Sequence, residues 1–188
     1  MHMRATSWDV THRIERYAKV LSDIEAETAD RFGTAIELTQ NEIEEFLGRL
    51  NSDMYKMVSN KRNYLILRLD SFVSDGAATY DSKILTIEHV LPQTVNDGSQ
   101  WAKWWPDPEE RAQWVHKIGN LLPLAKRTNS QAQNYDFDLK KDKYFRGKAG
   151  VAAYALTTQV LMYPEWKPEI VKARQDELIK VYRKNWDL

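Results

Sequence analysis

The stretch Ile87-Glu88-His89-Val90-Leu91-Pro92-Gln93 decides how the rest of the chain is read. A run from Thr79 rich in β-branched residues leads into an acid and a histidine, and a proline stops it three residues on. That pattern predicts a short strand or hairpin arm over 79–90, ended by a residue with no amide hydrogen for a ladder. A partner run, Gly119-Asn120-Leu121-Leu122-Pro123-Leu124, predicts a second short strand. Asn129 follows nine residues after Asn120, in a polar stretch that opens as a helix at Thr128. The expected architecture is α+β and mainly α-helical, with a small strand-strand-helix unit embedded in a helical domain.

Phosphodiester hydrolysis needs a base for water, a positive centre on the phosphate, and relief for the leaving oxygen. Histidine suits the first because its pKa lies near working pH. One divalent cation can supply the other two. A carboxylate at Glu88 and a carbonyl oxygen at Asn129 make an all-oxygen pair, which suits Mg²⁺, or Mn²⁺ in its place, better than a metal that prefers thiolate or imidazole. Successive residues of a strand point to opposite faces, so Glu88 and His89 serve one centre only if the chain bends there. Each residue also has a plainer reading. Asn120 after Gly119 is ordinary turn chemistry, Asn129 is a helix cap, and a lone histidine is more often structural than catalytic. The combination at this spacing favours the site.

The chain's 188 residues, 43% hydrophobic and 29% charged, suffice for a folded domain with a real core. There is no cysteine, which excludes disulfides, thiolate nucleophiles and cysteine-bound zinc, and fits a cytoplasmic protein. No apolar run has the length of a membrane span or signal peptide. Met1-His2-Met3 reads as an expression scar, so the expectation is a piece of a larger protein. Basic and acidic residues balance at 27 each, whereas a nucleic-acid binder usually carries a basic surplus. The charge is segregated, however: seven Lys/Arg against three Asp lie between Lys126 and Lys148.

Around this centre the periodicity predicts helices. One runs from Trp8 to about Arg31 on Val10, Ile14, Tyr17, Leu21 and Ile24. Another follows the capping box Thr39-Gln40-Asn41-Glu42. A third spans Asn60–Phe72 and stops at Ser74-Asp75-Gly76. Asp107-Pro108-Glu109-Glu110 opens a helix that Gly119 is expected to close. Asp138–Phe145, Val151–Met162 and Pro168–Trp186 complete the set. Trp101, Trp104 and Trp105 are read as packing that fastens an insertion to the body. A single domain is expected over 1–188, with a helical part at 1–75, the strand-bearing core at 76–148 and C-terminal helices at 149–188.

The run Ile87–Gln93, then Gly119-Asn120-Leu121, Asn129, Asn134-Tyr135-Asp136-Phe137 and Lys140, resembles the HNH domain at the C-terminus of GmrSD-type modification-dependent restriction enzymes. The phosphorothioate-sensing SspE nucleases carry a similar domain. More distantly it is similar to the HNH domain of RNA-guided CRISPR effectors. The resemblance implies a ββα-metal unit and a DNA endonuclease that nicks or cuts duplex DNA with little sequence preference, in defence against foreign DNA such as phage. It implies His89 as general base, Glu88 and Asn129 as Mg²⁺ ligands, and Asn120 as the brace that orients His89. It places Lys140 near the phosphate, with Lys126, Arg127 and Lys141 as further backbone contacts. It also implies an N-terminal sensor or NTPase domain elsewhere in the same protein. Two departures stand out: the third letter is Asn129 rather than His, and the acid is Glu88 rather than Asp. An idle HNH fold that binds DNA or a partner chain is the alternative reading, and an RNase is a third.

Overall fold

The computed structural model describes residues 9–26, 37–75, 85–125, 134–146 and 154–188. The chain divides into two compact units, Met1–Arg49 and Leu50–Leu188. In the first unit, helix α1 (Val10–Glu25) starts where the Asp9 side chain accepts from the His12 amide. Its apolar row of Val10, Ile14, Tyr17, Leu21 and Ile24 stands exposed. Helix α2 (Gln40–Leu50) begins with the expected capping box: the Glu42 carboxylate accepts from the Thr39 amide at 2.7 Å, and the Thr39 hydroxyl accepts from the Glu42 amide at 3.3 Å.

The second unit holds both strands, the first described from Leu85 onward. A 3₁₀ turn at Met54–Lys56 leads to α3 (Ser59–Val73), which buries Leu65, Ile66 and Leu69 and ends at Ser74, with Asp75 at φ 52°. Strands β1 (Leu85–His89) and β2 (Leu121–Ala125) pair antiparallel, with Ile87 opposite Pro123, Glu88 opposite Leu122 and His89 opposite Leu121. A ladder this short is marginal without packing. Here α7 (Ala155–Leu161) covers β2, and the Thr157 hydroxyl donates to the Pro123 carbonyl at 2.7 Å. Buried Asp70 of α3 in turn accepts from the Leu156 amide and so satisfies an open donor at the start of α7.

Between the strands, Ser99 caps α4 (Gln100–Trp104), and Asp107 with Pro108 opens α5 (Pro108–Trp114) as expected. The tryptophans do fasten this insertion. Trp101 and Trp105 are fully buried, and their indole N–H groups donate to the carbonyls of Tyr135 and Trp166. With Leu91, Leu122, Phe137, Phe145, Trp166 and Val171 they form the core.

Gly119 does not close α5, which ends at Trp114, but sits in a 3₁₀ turn at Ile118–Asn120. A Cβ there would lie 2.6 Å from the Val171 carbonyl oxygen, so glycine serves a close backbone approach to α8 (Pro168–Trp186). The basic segment forms α6 (Phe137–Lys140) and continues as a π turn through Phe145. The expected helix start at Thr128–Asn129 lies outside the described residues.

Candidate active site

Strand alternation sends Glu88 and His89 to opposite faces of the two-stranded sheet. On the Glu88 face, α6 delivers Lys140, whose side chain is fully buried. Its Nζ lies 2.9 Å from Glu88 Oε1, 2.8 Å from the His89 carbonyl and 3.2 Å from the Val90 carbonyl. Three acceptors call for three N–H donors, which an ammonium has and a neutral amine lacks. Burial pushes the Glu88 carboxyl up, against the Lys140 charge and its hydrogen bond, and pushes Lys140 down, against Glu88. The acceptor count argues for the charged pair. Lys140, expected beside a phosphate, therefore lies sealed behind the strand end, where it clamps Glu88 and the chain at 89–90.

On the His89 face, Nε2 lies 3.2 Å from Nδ1 of His116. The Tyr55 ring packs 4.1 Å from the His89 ring and stacks on His116 at 5.6 Å. The Tyr55 amide donates to the His116 carbonyl, so backbone as well as rings join the two segments. His89 is 5% exposed. Burial first, then the charges of His116, Lys140 and Arg62, hold its imidazolium down at about 3, so the ring is neutral at neutral pH. His89 Nδ1 makes no hydrogen bond among the described residues.

Asn120 joins the two strands' ends, and all of its amide is used. Its Oδ1 accepts from the Leu91 amide at 2.7 Å and from the Trp166 indole at 3.0 Å. Its Nδ2 donates to the Leu91 and Val115 carbonyls, and its own carbonyl accepts from the Val90 amide. From α8, buried Arg174 donates to the carbonyls of Ile118, Gly119 and Leu121, and Gln175 accepts from the Gly119 amide. Burial lowers Arg174 to about 10, and it stays a cation.

Of the residues expected to contact DNA, Lys141 turns inward: its Nζ donates to the Tyr163 carbonyl, lies 3.2 Å from Asp138, and sits over the Phe137 ring. Asn129, Lys126 and Arg127 lie outside the described residues. Tyr55 and Arg62 were not expected at the site. Lys140 carried a readable signal, since it stands three residues after Phe137 and so shares its face of the helix. Among the described residues no cluster of three or more His, Cys, Asp or Glu could hold a metal. Glu88 is the carboxylate at the motif. Mostly buried, with 13% of its side chain still exposed, it fits a hard cation that keeps most of its water. His89 Nε2 is engaged by His116, which speaks against an imidazole ligand there.

No helix among the described residues is long and apolar enough to cross a membrane. Comparison with curated proteins gives no match. The family model "GmrSD restriction endonucleases, C-terminal domain" matches residues 40–181, which takes in both strands and every contact of Glu88, His89 and Asn120 given above. The chain thus belongs to the C-terminal domain family of the GmrSD restriction endonucleases, a restriction-endonuclease type of nuclease.

Proposed function

We propose that the chain is a metal-dependent DNA endonuclease of the HNH kind, with His89 as general base and Glu88 with Asn129 as ligands of Mg²⁺ or Mn²⁺. The observation that carries this reading is the setting of His89. It is a neutral, buried histidine at a strand end, held through Nε2 by His116, with Nδ1 left over. In the proposed arrangement His89 Nε2–H donates to His116 Nδ1, which fixes the tautomer in which Nδ1 is basic. Nδ1 takes a proton from water as the water oxygen bonds to phosphorus. One P–O ester bond breaks, and the departing oxygen is protonated from solvent. Bound metal would supply charge at the phosphate and at the leaving oxygen. Asn120 contributes by holding 89–91 still, and Lys140 by keeping Glu88 ionised and in place. A base held at about 3 is weak in the free protein. The negative charge of an approaching backbone phosphate would raise it.

The substrate in this reading is duplex DNA, cut with little sequence preference. Recognition of modified or foreign DNA belongs to an N-terminal sensor domain of the same protein. The role is restriction of incoming DNA in the cytoplasm.

The test is cleavage of supercoiled plasmid with Mg²⁺, Mn²⁺ or EDTA. The parent is expected to give open circle or linear product with either metal and none with EDTA. His89→Ala is expected to lose about 10²–10⁴-fold in rate, the usual worth of a general base, while keeping the parent's circular dichroism. Equal cutting by the two proteins would refute the assignment. A second reading, an idle fold that binds DNA, draws on one observation: Lys140 already places a cation on Glu88 Oε1. It predicts DNA binding indifferent to metal and no cleavage under any condition.

A further inference from the structure

The cations near the motif differ in what their donors are doing. Lys140 is spent on Glu88 and two carbonyls, Lys141 on the Tyr163 carbonyl, and Lys56 on Asp53 at 2.8 Å. Arg62, in the first turns of α3, is different. Its Nη1 donates to the Tyr55 carbonyl at 2.9 Å and its Nε to Asn63 Oδ1 at 3.3 Å. The guanidinium lies over the Tyr55 ring, 4.7 Å from its centroid, on the same ring that packs 4.1 Å from His89. It makes no ion pair among the described residues. Of its five N–H groups two are used, which leaves one on Nη1 and both on Nη2. Its charge is felt at His89.

A guanidinium held by backbone, neighbour and ring has already lost the rotamer freedom that an ordinary surface arginine gives up on binding. The remaining N–H groups form a fork matched to two oxygens of a phosphate.

We infer that Arg62, carried on Tyr55, is a clamp for a DNA backbone phosphate beside His89. This rests on the nuclease reading above. The clamp would place the phosphate on the His89 face of the sheet, within reach of the base that activates water. Tyr55 then has two jobs: its carbonyl and ring hold Arg62, and its ring packs against His89 and His116.

The test uses the full chain and a short duplex in EDTA, so that binding is read without cleavage, over a series of salt concentrations. Each phosphate neutralised contributes about 0.9 to the slope of log K against log salt. Arg62→Gln is expected to flatten the slope by about 0.9, and Lys180→Gln, on the exposed side of α8, to leave it unchanged. Arg62→Lys keeps the charge and is expected to keep the slope, yet in Mg²⁺ to cut plasmid slower by on the order of 10²-fold because the fork is lost. A folded Arg62→Gln protein with the parental slope overturns the inference. So does Arg62→Lys cutting at the parental rate, which remains decisive if Arg62→Gln fails to fold. A parent that binds and cuts DNA while either result holds refutes the clamp alone. A parent that neither binds nor cuts refutes the nuclease reading and the clamp with it.

Discussion

Asn120→Ala should damage this protein through its fold before its chemistry. The side chain is completely buried and makes four hydrogen bonds: two accepted, from the Leu91 amide and the Trp166 indole, and two donated, to the Leu91 and Val115 carbonyls. Alanine removes all four and orphans four buried groups. Each costs about 1–3 kcal/mol when left unsatisfied. Even at the low end, with water entering the small space left behind, the sum is about 4 kcal/mol. That is a large part of the roughly 5–15 kcal/mol holding a domain together. The assay is urea unfolding of parent and variant. The midpoint should fall with little change in slope, and the melting temperature should drop by roughly 8–16 °C for a unit of this size. Asn120→Asp should fare no better. It keeps an acceptor toward Leu91 and Trp166 but turns a carboxylate oxygen toward two carbonyls in a dry site. An Asn120→Ala protein within about 1 kcal/mol of the parent would show that the four bonds are not what joins the strand ends. A variant of parental stability that had lost cleavage would move Asn120 into the chemistry itself.

Other outcomes follow from the same contacts. Lys140→Met leaves Glu88 buried without its cation and should cost about 3 kcal/mol. Glu88→Gln in the same chain should recover part of that, and Mg²⁺ should raise the melting point of Lys140→Met more than that of the parent; a melting point indifferent to Mg²⁺ in both would count against Glu88 as a ligand. Gly119→Ala drives a methyl to 2.6 Å from the Val171 carbonyl, and backbone has to move. A loss of about 1–3 kcal/mol is expected in the same urea assay, and a neutral effect would mean that α8 yields easily there.

Local chemistry made most of the fold readable. The Thr39–Glu42 box, the Asp107-Pro108 start and the Pro168–Trp186 helix depend on residues a few positions apart, and each is found where the pattern puts it. The strand pair was readable for the same reason, as two short apolar runs ended by Pro92 and opened by Gly119-Asn120. What escaped were contacts between distant segments. Nothing in the sequence near His116 points to His89, 27 residues away, or near Tyr55 to either ring. Lys140 was read with its basic neighbours as a phosphate contact, although its spacing from Phe137 put it inward. Gly119 looked like a helix stop because that is the commonest use of glycine in such a place. Its true constraint, the Val171 carbonyl, comes from a helix about fifty residues further on. Asn129 lies outside the described residues and stands as the sequence alone presents it.

The grip of Arg174 and Gln175 on residues 118–121 also bears on synthesis. The carbonyls of Ile118, Gly119 and Leu121 leave the ribosome well before the guanidinium that satisfies them, which is 55 residues behind Gly119. Until α8 emerges, the turn bearing Asn120 lacks the partners it has in the finished fold, and so does the strand end that Asn120 braces. Translation thus delivers the motif early and its support late. A half-made chain carries Glu88 and His89 before the turn that braces their strand end has its partners.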